Sequence, residues 1–217
     1  MLLFNYERLV DSLLRDVRAF TPEFCDMKPG DRVLDVCCGT GSQVIEYGRQ
    51  GIPSVGIDID PNMLKVAVRN RVSQNMSDVS FYLADATALP FTNNQFAYVS
   101  VSLALHDKAK TIRYKVVSEM IRVARPDGSL VLIDYTVPPI SRKWSFFSSG
   151  IEFFAGGDHY KGFKDYMHAG GIDDILNAFG LREDKRTYLK GGLLTIVKAS
   201  VPELPSRLGR KHLWVVV

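Results

Sequence analysis

At 217 residues the chain is long enough for one domain with a substantial core. Its 46% hydrophobic and 24% charged residues are ordinary for a globular protein, and a net charge of +3 is too small to argue for a nucleic acid partner. Three cysteines, two of them adjacent, make no disulfide framework, and no segment approaches a transmembrane span, so a cytoplasmic protein is expected.

Residues 2–18 place Tyr6, Leu9, Val10, Leu13 and Val17 on one face at helical spacing. This predicts an amphipathic N-terminal helix packed on the domain or over a ligand cleft. Met1-Leu2-Leu3-Phe4 is not expected to be a signal, because Glu7, Arg8 and Asp11 interrupt the apolar run. Lys28-Pro29-Gly30-Asp31 is a turn before a first strand at 32–37, followed by a helix over 42–50 and a second strand at 54–58. Asp60-Pro61 reads as a helix cap followed by proline in the first turn, with Leu64, Val68 and Val72 as the buried stripe. Strands follow at 80–83 and 96–103. A helix over 108–124 carries Ile112, Val116, Met120 and Ile121 on its buried side, and a fifth strand runs over 129–135. After Pro138-Pro139, Trp144, Phe147, Ile151 and Phe154 recur at near-helical spacing up to Gly156-Gly157. Helices around 162–169 and 172–179 and a hairpin of 182–189 with 193–199 around Gly191-Gly192 complete the pattern. The apolar end of the tail 201–217 is either docked or at a partner interface, which allows a homodimer. Alternating strands and helices imply an α/β, mainly parallel sheet with helices on both faces, on which ligands bind at the carboxyl ends of the strands.

Val33-Leu34-Asp35-Val36-Cys37-Cys38-Gly39-Thr40-Gly41 is the most informative segment. It reads as strand, tight glycine loop and helix start, which brings backbone N–H groups against a ligand. A dinucleotide fits poorly. Val44 stands where its fingerprint wants a third glycine, and Asp35 would repel a phosphate but attract an ammonium group. Asp58, nineteen residues past Gly39, can take both hydroxyls of a ribose. The ligand implied has an amino group, a ribose and no required phosphate.

These residues resemble the glycine motif of the class I S-adenosylmethionine-dependent methyltransferases, with Cys37 where the first glycine usually sits. Gly56-Ile57-Asp58-Ile59-Asp60, Ala84-Asp85-Ala86 with Leu89-Pro90-Phe91, and Arg125-Pro126-Asp127-Gly128-Ser129-Leu130 match in order. The resemblance covers roughly residues 28–136 and is nearest to the type 11 group that includes the ubiquinone and menaquinone biosynthesis enzymes and small phospholipid N-methyltransferases.

The resemblance implies a Rossmann-like, doubly wound, seven-stranded and mainly parallel sheet with a terminal antiparallel hairpin. It also implies one domain: a helical region at 1–28, a cofactor-binding core at 29–137, an acceptor-covering region at 138–180, then hairpin and tail. The cofactor implied is S-adenosyl-L-methionine, leaving as S-adenosyl-L-homocysteine. Its binding residues would be Asp35, Cys37, Gly39, Gly41, Asp58, Ile59, Met63, Asp85, Ala86 and Ser102. Asp85 has a second reading as a plain turn cap. His106 follows strand four, where an imidazole could take a proton from the substrate or simply shape the loop. Tyr6, Tyr135, Phe154, His159 and Tyr160 are read as lining the acceptor site.

Cys37-Cys38 suits small packed residues better than a metal site, and no metal is expected. Strand four lacks the Asn/Asp-Pro-Pro-Tyr motif of enzymes that methylate bases or glutamine. The expected activity is methyl transfer to a small apolar or aromatic acceptor: quinone-, phenol- or lipid-like. The alternative is a non-catalytic S-adenosylmethionine-binding sensor or assembly protein.

Overall fold

The computed structural model describes residues 14–140 and 157–201, with side chains described over 14–140 and 160–201. The apolar stretches at 33–36, 54–58, 96–102 and 129–135 form the interior of one seven-stranded sheet. Its strands are β1 (Val33–Val36), β2 (Ser54–Asp58), β3 (Val79–Leu83), β4 (Phe96–Ser102), β5 (Ala124–Tyr135), β6 (Arg182–Leu189) and β7 (Leu194–Ser200). Their order is β3-β2-β1-β4-β5-β7-β6. The first five strands pair in parallel, and β7 is antiparallel to both β5 and β6. This is the expected doubly wound sheet with its terminal hairpin.

The helices are α1 (14–24), α2 (Ser42–Arg49), α3 (Pro61–Ser73), α4 (Lys110–Val123), α5 (Gly157–Ala169) and α6 (Ile172–Phe179). The chain steps one way across the sheet through β1, β2 and β3, then the other way from β4 to β5. Right-handed crossovers therefore put α2 and α3 on one face and α4 on the other. α1 joins α2 through Gln43 Nε2 donating to Arg18 O, whereas α5 and α6 pack on α4. The core spans both faces and includes Leu34, Val36, Ile57, Val99, Val101, Leu130, Leu132 and Ile196. The edge strand β6 is largely exposed and opens on Arg182-Glu183-Asp184-Lys185-Arg186, charges that discourage a further strand from pairing.

Several local expectations need correction. The helix predicted over 2–18 continues to residue 24; residues 2–13, with Tyr6, lie outside the described part. Asp60 caps α3 as expected, its carboxylate accepting from Asn62 N at 2.7 Å. The buried stripe of α3, however, is Leu64 with Ala67; Val68 and Val72 are 40% and 64% exposed. On α4 the buried face holds Arg113, Val116, Val117, Met120 and Val123, and Ile112 points away from it. β5 begins at Ala124, before the predicted 129, because Phe96 already pairs with Ala124 ahead of a register shift. Gly157 opens α5, and that helix covers the one predicted at 162–169. The hairpin turns through a short 3-10 segment, Lys190–Gly192. The aromatic stretch 144–154, including Phe154, and the tail 202–217 lie outside the described residues.

Candidate functional site

β1 ends at Val36 and the chain turns at once through left-handed backbone: Cys37 has φ +58°, Gly39 +53° and Gly41 +75°. Glycine adopts this conformation without strain; a cysteine pays about 1–2 kcal/mol for it. Gly41 is also forced by space, since a Cβ there would sit 2.5 Å from Phe81 Cζ and 2.8 Å from Ala67 Cβ. Gly39 differs: a Cβ there would meet nothing within 4 Å. The loop therefore turns a bare backbone position toward open space at the carboxyl edge of the sheet.

Asp58 fastens this loop. It ends β2, and its carboxylate accepts Gly39 N–H at 2.8 Å on Oδ2 and Asp60 N–H at 2.9 Å on Oδ1. Each oxygen keeps acceptor capacity for a further donor. Asp35, one strand over, is only 2% exposed and accepts Ser100 Oγ at 2.6 Å. Burial pushes its carboxyl up to about 7, against the lowering effects of the Ser100 bond and Arg18. The backbone N–H bonds that hold the loop go to Asp58.

Beyond β2 and β3 the surface turns apolar. Ile59 is 70% and Leu83 62% exposed, and Leu83 is the register partner of Asp58. Met63 is half-buried on the first turn of α3. An open groove of about 500 Å³, bounded in part by Pro61, Leu64, Val68 and Leu83, continues this surface. Asp85 is exposed and accepts Thr87 N–H and Thr87 Oγ, both at 2.8 Å on Oδ1, which is the turn-cap geometry. These bonds hold its carboxyl below the usual range. Ala86 is buried beside it. Ser102, the last residue of β4, has a buried Oγ with no hydrogen-bond partner among the described residues. Burial pushes the Cys37 thiol up to about 12, so it is no thiolate at neutral pH.

The loop after β4 carries His106, 5% exposed. Its Nδ1 lies 2.6 Å from Asp134 Oδ1. Tyr135 packs edge-on at 4.8 Å between ring centroids, with Phe163 at 6.3 Å and Tyr166 at 6.4 Å from α5. Tyr160 is half-buried on α5 beneath Lys164 Nζ, 4.6 Å from its ring centre; the His159 side chain lies outside the described residues.

Two participants were absent from the sequence reading. Asp134 ends the buried run Leu130-Val131-Leu132-Ile133, the same place that Asp35 holds on β1, and that parallel was its available signal. Arg113 is fully buried on α4; its Nε donates to Leu105 O at 3.0 Å and its Nη2 to Lys108 O at 2.9 Å. Its spacing to Val116, Val117 and Met120 marks it as inward-facing. The structure thus gathers Asp35, Cys37, Gly39, Asp58, Ile59, Asp85, Ser102 and His106 at the carboxyl ends of four neighbouring strands.

This sheet order and edge define the class I methyltransferase fold. Residues 33–128 match the family described as methyltransferase domain. The chain is 40% identical over 110 residues to the demethylmenaquinone methyltransferase of Renibacterium salmoninarum, covering 51% of this chain and 44% of that one. It is 31% identical over 156 residues to the demethylmenaquinone methyltransferase of Shouchella clausii, covering 69% and 65%. The first of these matches, like those to two further curated relatives, spans about half the relative's length. Among solved structures, a SAM dependent methyltransferase from Aquifex aeolicus superposes with TM-score 0.68 at 19% identity over 91% of this chain and 97% of that one. The mitomycin 7-O-methyltransferase MmcR superposes with TM-score 0.71 at 15% identity over 90% and 56%. The chain therefore resembles the class I S-adenosylmethionine-dependent methyltransferases, and within them the menaquinone biosynthesis enzymes.

Proposed function

We propose that the chain is an S-adenosylmethionine-dependent methyltransferase whose acceptor is a small aromatic molecule of phenol or hydroquinone type. The observation that carries this reading is the loop fastened by Asp58, with Gly39 bare toward open space at the strand ends. S-adenosylmethionine, when bound, supplies a methyl group already activated on a sulfonium. The chain's own tasks are then to bind, to orient and to exclude water.

The residues present fit that group. Asp58 has acceptor capacity left for ribose hydroxyls. Ile59 and Met63 offer apolar cover for adenine, flanked by Asp85 and Ala86. The unpartnered Ser102 Oγ is a buried polar atom that a polar ligand at this edge would satisfy. On the acceptor side, the rings of Tyr135, Phe163 and Tyr166 around His106 favour a flat, apolar molecule. The names of the curated relatives point the same way.

The test is turnover of methyl-labelled S-adenosylmethionine against hydroquinones, phenols, amines and lipids. Label in a hydroquinone or phenol is the expected result. Cofactor binding with no label in any acceptor would contradict the proposal and leave the non-catalytic binding protein as the better account.

A further inference from the structure

We infer that Asp134 is a positioning residue that makes His106 Nε2 the proton acceptor for a hydroxyl-bearing methyl acceptor. The inference rests on the methyltransferase reading and deepens it: the acceptor must release its nucleophilic electron pair by losing a hydroxyl proton.

Four hydrogen bonds converge on Asp134, which is 1% exposed. Oδ2 accepts Leu105 N–H and His106 N–H, each at 3.2 Å. Oδ1 accepts Tyr135 N–H at 2.8 Å and lies 2.6 Å from His106 Nδ1. Three backbone N–H groups aimed at one carboxyl group suit an acceptor and not a donor. Nδ1 is therefore the donor, and in the neutral ring the lone pair resides on Nε2. Once Nε2 takes a proton, the same carboxylate stabilises the imidazolium.

The surroundings hold the ring in place. Tyr135, Phe163 and Tyr166 enclose it edge-on. Arg113 ties down the loop on both sides of His106 and pairs with Asp165 on α5. Gly162 lets α5 lie directly on this loop, since a Cβ there would be 2.2 Å from Asp107 O. Among the described residues, the charged and titratable groups around the pair include Asp134 and Tyr135 from β5, Arg113 from α4, Tyr166 and Asp165 from α5, and the Asp107–Lys108 pair of the loop itself.

The acceptor's hydroxyl proton moves to Nε2. The freed pair, on the oxygen or on the ring carbon conjugated to it, bonds the methyl carbon. The carbon–sulfur pair stays with sulfur, turning the sulfonium donor into a neutral thioether. For carbon methylation, the ring C–H proton then leaves and the hydroxyl is restored. The imidazolium proton passes to solvent before the next turnover.

The first test needs no turnover: ¹⁵N-detected long-range NMR of the histidine-labelled full chain near neutral pH. His106 is expected as the Nδ1–H tautomer, and Asp134→Asn should abolish that preference. The Nε2–H tautomer in the parent protein would overturn the inference while leaving cofactor binding intact.

In turnover, Asp134→Asn should lower kcat about 10²-fold, keep S-adenosylhomocysteine affinity within about twofold, and shift the acid limb of the kcat profile to lower pH. A purely structural Asp134 would leave that limb in place, which would contradict the assignment. Should Asp134→Asn not fold, His106→Asn retains a donor toward Asp134 but has no basic nitrogen. It should bind S-adenosylhomocysteine normally and lose at least about 10²-fold in kcat, and full activity would overturn the inference.

Discussion

Asp35 shows how a strand sequence and its burial combine into a measurable property. Its carboxyl sits beneath the glycine loop, 2% exposed, with Ser100 Oγ as hydrogen-bond donor. Desolvation lifts it from the ordinary 3.8 to about 7. The folded protein thus holds a proton through this window that the unfolded chain has released. The contribution to stability is full below about 4 and is lost as pH rises through about 7, a change on the order of 4 kcal/mol. Asp35→Asn keeps a partner for Ser100 and removes the titration. The stability difference between parent and variant, measured by denaturant unfolding, should fall as pH rises from about 4 to 7 and then level off. A difference independent of pH would show that Asp35 titrates normally. Asp35 and Asp58 stood out in the sequence because Asp58 closes an apolar strand, Asp35 lies one residue before the end of another, and each is part of a recognisable motif. Arg113 and Asp134 did not, because their roles depend on backbone carbonyls and N–H groups that only the tertiary fold brings to them.

Among the elements, the glycine loop gives a sharp contrast. Gly41→Ala adds both a clash with Phe81 and strain at φ +75°, and should cost about 3 kcal/mol of stability. Gly39→Ala adds only strain at φ +53°, about 1 kcal/mol, yet fills the open space above the loop. It should therefore lower S-adenosylhomocysteine affinity about tenfold, the equivalent of about 1.4 kcal/mol, with little loss of stability. Thermal unfolding and calorimetric titration of the two variants separate these effects; equal losses of stability would show that the loop is packed alike at both positions. The existence and order of strands and helices were readable from periodicity, but helix phase was less so. Each i+4 step overshoots a full turn by about 40°, so Val72 has swung well away from Leu64 and Ala67 takes the inward place. Ile112 is misplaced on α4 for the same reason. The buried Arg113 is disguised by its charge, which finds its partners only in the folded loop.

Across the whole molecule, the strand order turns a linear set of motifs into one edge. β1 and β4 are adjacent at the centre of the sheet, and β2 and β5 flank them. The residues that follow or close these strands meet although they are spread from Asp35 to Asp134. The glycine loop fastened by Asp58 lies on the β1-β2-β3 side, and the His106–Asp134 pair lies at β4 and β5. Among the described residues no helix is long and apolar enough to cross a membrane. Of the residues read as lining an acceptor site, Tyr6, Phe154 and the His159 side chain lie outside the described residues. The central claim is that this edge binds S-adenosylmethionine through Asp58. Calorimetric titration of S-adenosylhomocysteine into the full chain and into Asp58→Ala tests it most directly. The parent should bind one equivalent, and the folded variant should bind tens to hundreds of times more weakly, the equivalent of about 2–3 kcal/mol. No binding to the parent, or equal affinity in the folded variant, would contradict it.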